Sequence, residues 1–418
     1  MICKRLNGLT APGGDDRAAG MCRIVAAVLA VSLLGAAAGA SGASSQPSDN
    51  LRVVVNSMYN AEYDRALSLV SEWLKTHPED VAAWNYLAEA TLDREMLKEG
   101  LYTGSAFLNS GKVFKKRRAP LPRGFAKALN AALDQAQQLE EERLQHNPKD
   151  KEALYWLGVT HSTRTEFLFA LERSYFAALR EGKRALDVNE RLLQIDPNFA
   201  DAYLVIGIAD YAATLLPWYL RMFTSLSGVH ANAARGVREL KLASSKGRYT
   251  QVDAKTILIM IYERRGEYPS ALALLRDLEQ EYPANYLIPL EMARVDKAAG
   301  NWADAARVYD AAVEKYVRRE ENKHAPRALI LFRAGEAHEH LGELQQALDL
   351  YHAAGSVPGQ ARAIYQADLA AARLDEHFSH AARARQEYQL VADSVPETDL
   401  GDAARRALAA GPASQDKK

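Results

Sequence analysis

A chain of 418 residues is long enough for two or three ordinary domains or for one extended repeat array. Its formal net charge of -1, with 25% of residues charged, offers no global field for nucleic acid or an anionic membrane. Hydrophobic residues at 48% and aromatics at 8% exclude a disordered chain.

In chain order, the first feature is the uncharged run "IVAAVLAVSLLGAAAGA" from Ile24 to Ala40, preceded by Arg23. It ends in small residues, and either Ala38-Gly39-Ala40 or Ser41-Gly42-Ala43 fits a signal-peptidase site. The run is short for a membrane span and rich in Ala and Gly. Residues 1–43 are therefore expected to be a cleaved signal peptide, with translation from Met21 as a variant and an uncleaved anchor as the alternative. Cys3 and Cys22 are the only cysteines, and none follows the run as a lipoprotein would require. The exported chain, expected in the periplasm, then has no disulfide and no thiolate metal site. Residues 44–54 read as a linker.

Beyond it a repeat emerges. Five segments carry an alanine followed twelve residues later by a proline: Ala66 to Pro78, Ala136 to Pro148, Ala185 to Pro197, Ala271 to Pro283, and Ala384 to Pro396. This is the spacing of a second helix and the proline that stops it. The first helices share a phase: Trp84, Leu87 and Ala88 after Pro78; Leu154, Leu157 and Gly158 after Pro148; Tyr203, Ile206 and Gly207 after Pro197. A small residue at a helix crossing permits close approach while large neighbours fill the groove. Toward the C-terminus the pattern continues through Tyr262, Gly266 and Ala271, then Ala293, Gly300, Ala305 and Tyr309, then Gly335, Gly342, Ala347 and Tyr351. Residues 55–400 are thus an all-α array, with insertions near 98–125 and 211–250, and 401–418 read as a polar tail.

These positions, agreeing in register several times over, resemble the tetratricopeptide-repeat superfamily. The resemblance implies an α-solenoid, a right-handed superhelix of antiparallel helix pairs whose concave face takes a protein or peptide partner. A narrower resemblance lies in "ADAYLVIGIADYAATLLPWYLRMFTSLSGVHANAARGVRELKLASSKGRY". There Gly207, Tyr211, Leu216, Pro217, Gly228, Gly236, Leu240 and Ala243 are ordered as in the tetratricopeptide repeat protein 39 (inclusion-body clearance) family and similar exported bacterial repeat proteins. That likeness implies an interaction protein without catalytic activity. The signal peptide departs from the family's cytoplasmic members.

Several stretches carry potential chemistry. "GKVFKKRRAPLPRGFAK" holds seven Lys or Arg and no acid between Lys112 and Lys127, so Lys115, Lys116, Arg117 and Arg118 form a candidate basic patch or a solvated insertion loop. "GSAFLNSGKV" lacks the spacing and the hydroxyl of a phosphate loop. His377 and His380, and His338 and His340, do not supply three converging ligands, so no metal site is expected and the histidines read as exposed or capping. Glu140, Glu141 and Glu142 read as a solvated helical face. Phe167, Phe169, Tyr175 and Phe176 recur at helical spacing, as inter-helix core or as a groove for a partner. Trp218, Tyr219, Met222 and Phe223 follow Pro217, which is expected to end or kink the helix running from Tyr203 through Tyr211. Together with Phe167 and Tyr175 they form the candidate partner or ligand surface. No Gly-x-Ser-x-Gly element and no dinucleotide loop occurs, so neither a catalytic residue nor a cofactor is expected. The expected function is a non-catalytic exported scaffold or adaptor for a protein partner, with no nucleic acid and no sequence sign of membrane contact. The alternative is a helical protein binding a lipid or small hydrophobic ligand at the Leu-Pro-aromatic segment.

Overall fold

The computed structural model describes residues 49–99, 121–215, 231–359 and 361–410. Among these the chain is all α-helical, a succession of antiparallel helix pairs, and it divides into two compact units that meet in sequence at Glu267 and Tyr268.

The first unit contains α1 (Asp49–Tyr59), α2 (Tyr63–Thr76), α3 (Val81–Lys98), α4 (Phe125–His146), α5 (Lys151–Glu166), α6 (Tyr175–Ile195), α7 (Tyr203–Ala213), α8 (Ala233–Lys246) and α9 (Gln251–Arg264). Its loops are built by local chemistry. Pro78 and Pro148 follow the ends of α2 and α4, and two residues later Asp80 and Asp150 cap the next helix. Their carboxylates accept from the backbone N–H of Ala83 at 3.1 Å and of Ala153 at 3.0 Å. The large residue six positions after the proline locks the same loop. Trp84 Nε1 donates to the Pro78 carbonyl at 2.7 Å, and the Tyr203 hydroxyl to that of Pro197 at 2.9 Å. The repeated alanines Ala66, Ala136 and Ala185 are buried. Where α7 crosses α8, a Cβ on Gly236 would stand 2.6 Å from the Gly207 carbonyl oxygen and 2.8 Å from the Tyr211 nitrogen, so only glycine permits this approach.

The second unit contains α10 (Tyr268–Glu281), α11 (Leu287–Ala298), α12 (Trp302–Ala312), α13 (Arg327–His340), α14 (Leu344–Gly355), α15 (Arg362–His377), α16 (Ala381–Ser394) and α17 (Asp399–Ala410). Its tight turns place Gly300 at φ +82° and Gly342 at φ +80°, in the left-handed region. Ala305, Tyr309, Ala347, Tyr351 and Ala384 fill its core.

Some boundaries differ from expectation. Residues 49–54 belong to α1, with Leu51 and Val54 buried, because its apolar stripe packs on α2; they are not a linker. The stretch 233–250, read as insertion, holds the regular helix α8. The polar tail begins later than 401, since α17 runs to Ala410 and buries Ala404 against α16. Helix α7 ends at Ala213, just beyond the expected Tyr211; Pro217 lies outside the described residues.

Candidate functional site: an acidic cleft in the first unit

The first helices of successive pairs, α3, α5, α7 and α9, converge with α6 on a cleft of about 40 Å³. Glu89 reaches it from α3, Tyr155 and Trp156 from α5, Asn189 from α6, and Asp253 from α9. Asp201, in a 3-10 turn (Ala200–Ala202) before α7, closes one side. Its Oδ1 accepts from the backbone N–H of Tyr249 at 2.6 Å, of Thr250 at 3.0 Å, and from the Thr250 hydroxyl at 3.0 Å, which fixes the start of α9. Tyr249 in turn stacks on Tyr155, ring centroids 4.9 Å apart, and lies 5.2 Å from Trp156, so the aromatic wall is rigid.

The other two carboxyls are less well served. Glu89 and Asp253 are each 8% exposed, and Glu89 Oε2 and Asp253 Oδ1 are buried without a hydrogen-bond partner. Burial, then the charge of Asp93, pushes the Glu89 carboxyl up to about 8. Burial also drives Asp253 well above the carboxylate range, helped by Glu89, Asp93, Glu166 and Asp201. No described residue lining the cleft is basic. It is a site of hydrogen-bond acceptors and latent negative charge. The hydroxyl of Ser162, also in its wall, donates to the Gly158 carbonyl at 2.9 Å.

Sequence reasoning missed this cleft. Asn85, Glu89 and Asp93 stand four residues apart on α3, a polar stripe on a helix whose remaining positions are mostly buried; that stripe was the available signal. The expected surface residues fall elsewhere. Phe167 is not on a surface: at 1% exposure it sits in a π-helical turn (Phe167–Leu171) against Phe125, with Phe169 beside it in the same core. Tyr175 is half-buried and meets Phe169 edge-on at 5.3 Å. Phe176, one position on, is 88% exposed. Trp218, Tyr219, Met222 and Phe223, and the basic Lys115, Lys116, Arg117 and Arg118, lie outside the described residues.

Two other expectations are corrected. Glu140 is fully buried, since residues 140, 141 and 142 are 100° apart around a helix and cannot all face water. His338 is buried rather than exposed, and its two ring nitrogens contact Asp310 at 3.0 Å and Glu343 at 2.5 Å. In the second unit His352 Nε2 lies 3.0 Å from both Asp375 Oδ2 and Glu387 Oε1, a trio whose atoms could ligate a metal ion. Arg383 Nε lies 3.5 Å from the same two oxygens, and His380 Nδ1 is 2.8 Å from Asp375 Oδ1. The guanidinium already supplies positive charge there, so the arrangement ties α14, α15 and α16 as a buried polar network.

Helix pairs with this phase, stacked on small-residue crossings, make an all-α repeat array of the α-solenoid kind. Residues 290–361, covering α11 to α14, match a family described as tetratricopeptide repeat. No curated protein matches the chain by sequence. Among solved structures, the chain is similar to Pseudomonas aeruginosa PilF at 15% identity, over 62% of this chain and 99% of that one, with a TM-score of 0.37. It is similar to yeast Tom70 at 12% identity, over 87% and 89% of the two chains, with a TM-score of 0.35. Human IFIT1 in a structure with m7Gppp-AAAA is 14% identical over 93% and 84%, with a TM-score of 0.37.

Proposed function

We propose that the protein is a non-catalytic scaffold, exported to the cell envelope, that holds a protein partner on the face formed by the first helices of its repeats. The observation that carries this reading is the cleft itself: several first helices present side chains to one place, which a purely structural stack does not require. A preformed helical face loses little conformational entropy on binding, so a few anchors suffice for affinity. The order of Gly207, Tyr211, Gly236 and Leu240, resembling non-catalytic interaction proteins, agrees with it. Export rests on the Ile24–Ala40 run. No helix among the described residues is long and apolar enough to cross a membrane.

The test is crosslinking in the native cell envelope followed by affinity capture, with the N-terminus of the captured chain sequenced. A stoichiometric protein partner and a start at Ser41 or Ser44 are expected. Recovery of a bound lipid with no protein partner would sink the scaffold reading, and an intact N-terminus in the cytosolic fraction would sink export.

A further inference from the structure

We infer that the cleft of the first unit binds a primary ammonium group, delivered by a lysine side chain of the protein partner; the source of the lysine rests on the scaffold reading above. Four observations select this chemistry. Glu89 and Asp253 line the cleft, and each keeps a buried carboxyl oxygen, Glu89 Oε2 and Asp253 Oδ1, with no hydrogen bond to satisfy it. Such atoms are costly to bury, and each asks for a donor. An ammonium has three donors and no acceptor, matching a wall of carboxyl, amide and hydroxyl oxygens in which no described residue is basic. Size then limits the occupant: a volume of about 40 Å³ takes the tip of one side chain, and a compact ammonium fits it more readily than a planar guanidinium with five donors. Finally, Tyr155 and Trp156 line the cleft, and an aromatic wall suits a cation carried on an apolar four-carbon stem.

A divalent cation is the weaker occupant. Calcium takes six to eight oxygens, whereas Asp201 Oδ1 is already engaged by three donors. The charges that face the two acids from the surrounding helices are Asp93 on α3, Glu166 at the end of α5, and Asp201 before α7. Arg248 pairs at 3.5 Å with Glu152, which the Tyr249 hydroxyl also contacts. The field inside is therefore negative once a carboxyl ionises. Because burial keeps Glu89 protonated up to about 8, an entering ammonium displaces a proton into solvent, and the carboxylate and the cation then pair directly. Affinity should rise about tenfold per pH unit between pH 6 and 7 for each proton released.

The experiment titrates the purified protein with the tripeptide acetyl-Gly-Lys-Gly-amide by calorimetry in two buffers of different ionisation enthalpy, which reports proton release, with Trp156 fluorescence as a second readout. Parallel titrations use the ε-acetyl-lysine and arginine tripeptides, cadaverine and calcium chloride. Saturable binding of the lysine peptide with proton release is expected, with at least about tenfold weaker binding of the other two peptides. Asp253→Asn and Glu89→Gln replace protonated acids by their neutral isosteres, so helicity and melting are retained while lysine binding falls at least about tenfold. No saturable lysine binding, equal binding of the acetylated peptide, displacement by calcium, or unchanged binding in both folded variants would overturn the inference. Binding of cadaverine without the peptide would overturn the partner's lysine as the source. Capture of an envelope protein by Asp253→Asn as well as by the wild type would leave the scaffold reading standing and remove the cleft from it.

Discussion

Three helices meet at Glu140. Its Oε1 accepts from Asn85 Nδ2 on α3 and from the Thr160 hydroxyl on α5, each at 2.9 Å, while the residue itself belongs to α4. Burial, only partly offset by these two hydrogen bonds, pushes its carboxyl up to about 7. In the folded state the group binds its proton more tightly than in the unfolded chain. Its contribution is therefore complete below about 4.5 and is lost as pH rises through about 7. The full difference is of order 3 kcal/mol. Glu140→Gln keeps both acceptor contacts without an ionisable proton. It should leave stability near wild type at pH 5 and raise it at pH 8, whereas Glu140→Ala should cost about 2 kcal/mol at pH 5, because it leaves a cavity and removes an acceptor shared by Asn85 and Thr160, which fall back on the Val81 carbonyl and on Asn85 Oδ1. Denaturant melts at the two pH values check both; a Gln variant that loses stability equally at each would show that the carboxyl is ionised in the fold.

Among the elements, the repeated turn gives the sharpest test. Ser379, between α15 and α16, has φ +66°, in the left-handed region that Gly300 and Gly342 occupy in the two preceding turns. An L side chain there carries a strain of roughly 1 kcal/mol, so Ser379→Gly should stabilise the second unit by up to about that amount and Gly342→Ala should destabilise it by about 1–2 kcal/mol. Thermal melts of the pair decide it, and a Ser379→Gly variant less stable than wild type would mean that the serine's own contacts outweigh the strain. The same turns explain what could be read in advance. The alternation of alanine, glycine and proline is local and recurs in phase, so the helix pairs are visible in the chain. Burial of Glu89, Asp253 and Glu140 is decided instead by helices tens of residues apart: Asn85 lies 55 positions from Glu140, and nothing in the run from Glu140 to Glu142 marks which of the three faces inward. The division at Glu267 falls inside what the repeat phase reads as one pair, α9 with α10, so periodicity gives no hint of it.

For the whole molecule, the pH dependence of stability follows from where its shifted acids lie. A formal charge of -1 makes general charge repulsion a small term near neutrality. What remains are individual groups. In the first unit burial raises Glu89 to about 8 and Glu140 to about 7; in the second it raises Glu387 to about 8 and Asp368 to about 6. Each stabilises the fold while protonated and loses that contribution as pH climbs through its folded value. His338 acts in the same direction. Burial opposes its charge, but the hydrogen bonds to Asp310 and Glu343 prevail and raise it, so its ion pairs are complete below about 6.5 and fade above. The acids shifted the other way, Asp196 by Lys151, Glu314 by Arg319 and Asp399 by Arg362, are exposed pairs whose small contribution is lost only as pH falls below the carboxylate range. Stability should therefore peak near pH 5 and decline through pH 8, for both units. A melt series in steps across that range checks the sign, and combining Glu89→Gln with Glu140→Gln sharpens it. The double variant should reduce the decline for the first unit to the part carried by Asp253 and Glu239, and leave that of the second, carried by Asp368, Glu387 and His338, unchanged. A maximum at pH 8 would mean that the buried carboxyls are ionised in the folded chain, and with them the proton release expected on lysine binding would vanish.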